Sequence, residues 1–202
     1  MDSTDGYSCT SGFVAYRNGT PTSYFVLSAA HCGPVNSAWA QAGVVAMGQV
    51  DRVDLTIADT LRIPIPVTTK SNKVTINYSS YLGQGTYRSI TSAQGQAADV
   101  VGQTQCSSGQ NTTSLQCGPL IATSVDYSWT THYGSHAAYY YGREVDFDCN
   151  PGDSGGSVLY GNQARGIMRA KVTRTLGNDT CIYGHIYDNL RGMSMTGVVS
   201  TA

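Results

Sequence analysis

Short apolar segments separated by small polar residues run the length of the chain. Each is rich in β-branched and aromatic side chains and is bounded by Gly, Pro, Asn or Ser, which is typical of many short antiparallel strands. A weak helical pattern runs from Tyr187 to Met195. The pattern predicts an all-β barrel or sandwich. The strand segments are "GFVAYR", "SYFVLSAA", "GVVAMGQV", "DLTIADTLRI", "KVTINY", "ADVVGQ", "PLIATSVDYSW", "GSVLYG", "ARGIMRAKV" and "CIYGHIY".

Length and charge narrow the classes of function. With 202 residues, the chain can bury a substantial core as one domain, or as one unit built of two similar halves. Its 12 Lys and Arg residues are balanced by 13 Asp and Glu residues, so no basic excess is available to bind a phosphate backbone. No apolar run approaches the roughly 20 residues of a membrane span. We therefore expect neither nucleic acid nor a membrane among the partners.

Cysteine usage indicates an oxidising compartment. The six cysteines include no C-x-x-C pair, which favours three disulfides over a zinc site. Sequons at Asn18, Asn77, Asn111 and Asn178 are compatible with secretion through a glycosylating pathway, although such triplets also arise by chance in a chain rich in Ser, Thr and Asn. We expect a secreted, extracellular protein.

The segment "CNPGDSGGSVLYG", residues 149–161, places Ser154 between an aspartate and two glycines. Gly, Pro, Asn, Asp and Ser are the residues of ordinary surface turns. The same letters also describe a strained elbow that presents a serine nucleophile. The second interpretation requires a histidine base, a carboxylate that orients the base, and donors for an oxyanion.

Candidates for the base and the carboxylate lie in the first half of the chain. His31 ends the apolar segment "YFVLSAAHCG", next to Cys32. If "DLTIADTL" is one strand with alternating faces, Asp54 lies at its beginning, where it can reach the edge of a cleft. We therefore choose Asp54 as the carboxylate, with Asp51 as the main competitor, and we expect Asp59 to face solvent at the far end of the strand.

The motifs "LSAAHC", "DLTIA" and "GDSGG", in the order His, Asp, Ser, resemble those of the chymotrypsin-like serine proteases. The resemblance is strongest to the secreted microbial branch of alpha-lytic protease and the streptogrisins, and it extends from Cys9 to about Tyr187. It implies two antiparallel six-stranded β-barrels, residues 1–95 and 96–202, with the active site between them. His31 and Asp54 would come from the first barrel and Ser154 from the second.

The resemblance also implies details of chemistry. It pairs Cys9 with Cys32, Cys106 with Cys117, and Cys149 with Cys181. It implies an endopeptidase in which His31 accepts the proton of Ser154, Asp54 orients His31, and the amides of Gly152 and Ser154 form the oxyanion hole. Such chemistry needs no metal and no cofactor, so we expect none. We expect protein or peptide substrates and a monomer.

Two departures from the family pattern concern Asp153 and the specificity pocket. An arginine follows the hairpin cysteine in microbial relatives and pairs with the aspartate beside the nucleophile, whereas Ser107 follows Cys106 here. In the pocket wall, "GIMRAKV" carries Arg169 where relatives have a serine. The sequence leaves open whether the pocket prefers an acidic substrate side chain or a basic one. The candidate pocket residues are Asp148, Arg169, Ala170, Lys171 and His185, with Asp146 close by.

Two other classes of protein fit some of these residues. The elbow also matches G-x-S-x-G of α/β-hydrolases, but that fold needs the order Ser, Asp, His and alternating helices. A catalytically inactive protease homologue that acts as a binding module would keep the fold and the disulfides. Arg169 and the missing partner of Asp153 favour that alternative, and the intact Ser, His and Asp residues disfavour it.

Overall fold

A computed structural model describes residues 2–3, 8–41, 45–79, 84–112, 114–131 and 133–201. The described residues are mostly β, with one short α-helix, α1 (Ile186–Gly192), and 3-10 turns at Ala30–Cys32, Val67–Thr69 and Gln96–Ala98. The strands are β1 (Asp2–Ser3), β2 (Val14–Arg17), β3 (Ser23–Ala29), β4 (Ala38–Gln41), β5 (Val45–Gln49), β6 (Arg52–Asp54), β7 (Thr60–Ile65), β8 (Lys73–Ser79), β9 (Gln84–Ser89), β10 (Ser92–Ala93), β11 (Thr104–Ser107), β12 (Gln116–Thr130), β13 (His136–Val145), β14 (Ser157–Tyr160), β15 (Gln163–Val172), β16 (Thr180–His185) and β17 (Gly197–Val198).

The strands form four sheets. One has the order β17-β2-β3-β7-β6, and a larger one has the order β10-β15-β14-β11-β12-β13-β16. Smaller sheets consist of β1-β4-β5 and β8-β9. The predicted β class is confirmed, whereas closure of the strands into two six-stranded barrels stays a prediction.

Burial patterns along the strands follow their positions in the sheets. β12 alternates between exposed and less exposed residues along most of its length, as expected for an antiparallel strand with one face toward solvent. β16 is buried at every residue, because it pairs with β13 on one side and β15 on the other and packs on both faces. Strand β3 is likewise central, between β2 and β7, and its last five residues are buried.

The two halves of the chain exchange short strands and share a core. Strand β17, near the end of the chain, pairs with β2, and β10 pairs in parallel with β15. The largest cluster of buried apolar residues therefore draws on both halves, and the predicted division at residue 95 stays a prediction. This shared core contains Phe13, Ala15, Leu27, Val74, Ile90, Leu159, Ala164, Ile167, Ile186, Leu190, Met193 and Val198.

All three predicted disulfides are present: Cys9–Cys32, Cys106–Cys117 and Cys149–Cys181. The pairing implied by the family resemblance is confirmed. Each crosslink is expected to stabilise the fold by about 3 to 4 kcal/mol through restriction of the unfolded chain. Among the described residues, no helix has the length and apolar character needed to cross a membrane.

One predicted strand is a turn. The segment "ADVVGQ" bends where the amide of Gln103 donates to the carbonyl of Val100, and Val100 and Val101 are exposed. The β-branched residues suggested a strand, but the segment turns, and from this turn Gly102 and Gln103 hydrogen-bond to the backbone of Leu120 in β12. The predicted helix near the C-terminus is confirmed in position but ends at Gly192 rather than Met195.

Truncation of Leu27, which is fully buried in the shared core, should destabilise the whole protein. We expect Leu27→Ala to lower the free energy of unfolding by about 2 to 5 kcal/mol, through lost burial and the cavity left behind. Leu176→Ala is the matched control, because Leu176 is 89% exposed. Urea unfolding measures both, and equal losses would contradict the assignment of Leu27 to the core.

Candidate active site

His31 is held at the end of a buried strand. It follows β3 and lies in the 3-10 turn Ala30–Cys32, where the disulfide to Cys9 anchors the next residue. Its side chain is 21% exposed, so one edge of the imidazole reaches solvent. The Nδ1 atom lies 2.8 Å from Oδ2 of Asp59, and the backbone N–H donates to Oδ1 of Asp59 at 3.0 Å.

Asp59 has a fully buried side chain and lies directly before β7. Its backbone adopts a positive φ of 43°, which is uncommon for a residue with a side chain. Its own carbonyl accepts from the amide of Ala30 at 3.0 Å. The carboxylate and the carbonyl together therefore fix the turn that carries His31.

The structure corrects the choice of Asp54 as the partner of His31. Strand β6 ends at Asp54, and residues 55–59 leave the sheet before β7 begins. Oδ1 of Asp54 accepts from the amides of Thr56 and Ile57 and from the hydroxyl of Thr56, at 2.8 to 3.0 Å. Asp54 thus closes a local turn, and Asp59, which we expected in solvent, contacts His31.

The remaining competitor, Asp51, is also engaged elsewhere. Its two carboxylate oxygens accept from Nε and Nη2 of Arg62 at 2.7 and 3.0 Å. Alternation of faces does not hold from Asp54 to Asp59, because the chain leaves the sheet between β6 and β7. An aspartate carboxylate can accept from the backbone amide two residues later and so close a turn, and Asp54 was a candidate for this role in the sequence.

Ser154 lies on a tight turn between β13 and β14 that is held from the first half of the chain. Thr10 donates its amide to the carbonyl of Ser154 and its hydroxyl to the carbonyl of Gly152, both at 2.8 Å. Gly155 has a φ of 88°, and a Cβ there would collide with Oγ of Ser28 and the carbonyl of Thr10. The glycine therefore permits the close approach of this turn to β3, the strand that leads into His31.

The hydroxyl of Ser154 donates to the carbonyl of Arg169 at 3.3 Å. Although both side chains lie in the described part of the chain, Ser154 makes no hydrogen bond to His31. Gly152 has a φ of 99°, and the amides of Gly152 and Ser154 donate to no described residue. These two amides are thus available to an acceptor from outside the protein.

Asp153 has partners that the sequence did not reveal. It is 3% exposed, and its Oδ1 accepts from the amides of Asn111 and Thr112, both at 2.9 Å. Its Oδ2 accepts from the amide of Asn150 at 2.8 Å and from the hydroxyl of Thr112. Three backbone amides and one hydroxyl therefore stabilise the buried carboxylate without an arginine.

The β12–β13 hairpin contributes aromatic residues beside His31. The ring of Trp129 meets the imidazole edge-on, with ring centroids 5.9 Å apart. The hydroxyl of Tyr133, near the hairpin's tip, donates to the carbonyl of Ala30 at 2.9 Å. Burial, assisted by the nearby Asp59 carboxylate, raises the pKa of Tyr133 to about 12, so this phenol is neutral at ordinary pH.

Two of the predicted pocket residues have buried side chains that point elsewhere. Arg169 extends into the protein, where its guanidinium is fully buried and donates to the hydroxyl of Thr60 at 2.9 Å. His185 is fully buried at the start of α1, where its Nδ1 accepts from the amide of Tyr187 at 3.1 Å. Neither side chain can line a pocket that is open to substrate.

The other predicted pocket residues lie at the surface. Nζ of Lys171 is 3.3 Å from Asp148 and 3.1 Å from Asp179, which raises the pKa of Lys171 through its hydrogen bonds to both carboxylates, that to Asp179 first. Ala170 is half-buried. The lysine and the acidic residues thus compensate each other's charge.

The mostly β fold of the described residues agrees with the resemblance of the sequence to the chymotrypsin-like serine proteases. Its shortage of helices excludes the α/β-hydrolase alternative, which requires them in alternation with strands.

Comparison with known proteins identifies relatives in the microbial branch of these proteases. Streptogrisin-A of Streptomyces griseus is 30% identical over 193 residues, which are 96% of this chain. The chain spans 58% of the length of that relative. No protein-family model matches the chain.

Solved structures of microbial proteases are also similar to this chain in fold. Protease A of Thermobifida fusca has a TM-score of 0.73 and 21% identity, over 96% of this chain and 93% of that chain. The chymotrypsin of Cellulomonas bogoriensis has a TM-score of 0.71 and 22% identity, over 98% and 94%. The predicted resemblance to chymotrypsin-like microbial serine proteases is confirmed.

The buried imidazole of His185 should make stability dependent on pH. Burial, assisted by the cations of Arg143 and Arg165, lowers the pKa of His185 to about 3. Its ordinary value is about 6.5, so between pH 6.5 and 3 the unfolded chain binds a proton that the folded protein does not. The stability contributed by neutral His185 is complete above pH 6.5 and is lost as the pH falls toward 3.

We expect the free energy of unfolding to fall between pH 7 and pH 5 by about 2 kcal/mol more in the unaltered protein than in His185→Asn. Asparagine keeps an acceptor for the amide of Tyr187 but does not titrate. Urea unfolding at the two pH values measures the difference. The same acid loss in both proteins would show that His185 does not contribute to it.

Proposed function

We propose that the protein is a secreted serine endopeptidase that hydrolyses peptide bonds in proteins or peptides through Ser154, His31 and Asp59, acting as a monomer. The observation that carries the proposal is the contact between Nδ1 of His31 and the buried Oδ2 of Asp59, at 2.8 Å. A buried carboxylate on one ring nitrogen leaves the other nitrogen to accept a proton, which is the arrangement that a serine nucleophile requires.

In the proposed reaction, the hydroxyl of Ser154 first turns from the carbonyl of Arg169 toward Nε2 of His31. Its oxygen attacks the carbonyl carbon of the scissile bond as His31 accepts its proton. The imidazolium, held by Asp59, then returns the proton to the leaving amine, and an acyl-enzyme forms. Water, deprotonated by His31, hydrolyses that ester and restores Ser154.

The amides of Gly152 and Ser154 are proposed to stabilise the oxyanion of the tetrahedral intermediate. They have no acceptor among the described residues, and the turn that carries them is fixed by Thr10 and by the bonds to Asp153. Donors that are already in place lose little by reorganisation, and one such donor is worth about 3 to 4 kcal/mol in the transition state.

A cleavage-site profile on a mixed peptide library, with fluorophosphonate labelling, tests the proposal. We expect cleavage within peptides and stoichiometric labelling of Ser154.

The second candidate, an inactive homologue that serves as a binding module, is favoured by the hydrogen bond of Ser154 to the carbonyl of Arg169 instead of to His31. Absence of both cleavage and labelling would establish that candidate and exclude the protease. The hydrogen bonds to Asp153 remove one reason for an inactive homologue, namely the missing partner of Asp153.

Ser154→Ala should abolish hydrolysis and leave the fold intact. By analogy with other serine proteases, removal of the nucleophile is expected to lower kcat by about a million-fold. Peptide hydrolysis measures the loss, and circular dichroism checks the fold. Retention of most activity in a folded variant would exclude Ser154 as the nucleophile.

Asp59→Asn is expected to lower kcat by about ten thousand-fold, because an amide cannot hold the required tautomer of His31 or stabilise its protonated form. Asp54→Asn is the matched control, and we expect it to leave hydrolysis near that of the unaltered protein, since its Oδ1 bonds only within its own turn. A large loss in Asp54→Asn with a small loss in Asp59→Asn would reverse the assignment.

A further inference from the structure

Arg169 extends from β15 to the partner of His31. Its side chain is fully buried, and its Nε lies 3.8 Å from Oδ2 of Asp59, whose side chain is also fully buried. The same carboxylate oxygen contacts Nδ1 of His31 at 2.8 Å. One buried oxygen is thus shared between an imidazole and a guanidinium.

The guanidinium is held in place by two other elements. Its Nη2 donates to the hydroxyl of Thr60, at the start of β7, and to Oδ1 of Asn189 on α1. The amide of Asn189 is itself oriented, because its Nδ2 donates to the carbonyls of Gly184 and His185 at 2.8 and 2.9 Å. The cation therefore has a fixed position beside the carboxylate.

Arg169 interacts with Asp59 through its charge and not through a hydrogen bond. Nε and Nη1 of Arg169 are buried and donate to no acceptor among the described residues. A distance of 3.8 Å between buried opposite charges is nevertheless short enough for a strong Coulomb interaction, since little water screens it.

We propose that Arg169 is a positioning residue whose buried cation holds the carboxylate of Asp59 in place and offsets part of its charge toward His31. The inference rests on the proposed function wherever it concerns hydrolysis, but the charge coupling itself does not depend on turnover.

The expected consequence follows from the sign of the charges. Both nitrogens contact one oxygen, so the guanidinium lies within about 7 Å of the imidazole. A protonated imidazole would be attracted by Asp59 and repelled by Arg169. The Arg169 cation therefore opposes part of the stabilisation that Asp59 gives to the protonated imidazole.

The other groups that face this pair are uncharged at ordinary pH. Tyr133, from the β12–β13 hairpin, is a neutral phenol because burial raises its pKa to about 12. Trp129, Thr60 and Asn189 carry no charge. Arg169 is thus the cation that the structure places beside Asp59 within the described residues.

Two neutral variants test the coupling. Arg169→Gln keeps an amide donor for Thr60 and Asn189 and is expected to fold, and Arg169→Met keeps an unbranched side chain without a charge. Arg169→Lys retains the charge. Arg165→Met is the matched control, because Arg165 is an equally buried arginine on the same strand that contacts Asp99 instead of Asp59.

The first measurement is the NMR titration of the His31 ring proton, with each variant in a Ser154→Ala background to prevent self-cleavage. We expect its midpoint to rise by about one pH unit in Arg169→Gln and Arg169→Met, and to stay within a few tenths of a unit in Arg169→Lys and Arg165→Met. A merely structural role of Arg169 would lower the folded fraction without this pattern.

The second measurement is the pH profile of kcat/KM for the same substitutions with Ser154 present. The acid limb should shift upward with the NMR midpoint, while KM changes little. A His31 midpoint in folded Arg169→Gln equal to that of the unaltered protein, or an equal shift in Arg165→Met, would overturn the proposal. If the protein hydrolyses no peptide, the proposed function fails, while the NMR titration still decides the role of Arg169.

Discussion

The buried carboxylate of Asp59 is the constraint around which the site is arranged. A charge without access to water is costly unless hydrogen bonds and opposite charges surround it. Here the surroundings come from the turn Ala30–Cys32 and from Arg169 on β15. Since these elements belong to both halves of the chain, the need to satisfy one carboxylate fixes how the halves meet. The uncommon backbone conformation of Asp59 is maintained by the same contacts.

A second constraint acts through the backbone of the turn between β13 and β14 that carries Ser154. Thr10 bonds the carbonyls of Gly152 and Ser154 from the first half, and the amides of residues 111, 112 and 150 surround Asp153. Backbone donors and acceptors cannot titrate or swing away as long side chains do. The turn is therefore held by groups whose positions depend on the fold, and the two disulfides Cys9–Cys32 and Cys149–Cys181 anchor the segments on either side.

Much of the fold was predictable from local pattern. Strands such as β2, β3, β14 and β16 coincide with apolar segments between turn residues, because burial of such segments is favourable in almost any β arrangement. The disulfide pairing came from the family resemblance and is confirmed. The prediction for "ADVVGQ" was wrong because its composition favours a strand, whereas the chain turns between Val100 and Gln103.

The sequence by itself determined the β class, the cysteine pairing through resemblance, and the residues Ser154 and His31 as candidates, because each is marked by a compact local motif. Tertiary structure decided which aspartate meets His31 and where Arg169 points. Three aspartates lie within nine residues, and local alternation favoured Asp54, whereas the actual chain leaves the strand there and returns at Asp59. Arg169 was expected in a pocket, but a long side chain on a buried strand takes the direction in which its charge finds a partner, and that partner, Asp59, lies 110 positions earlier in the chain.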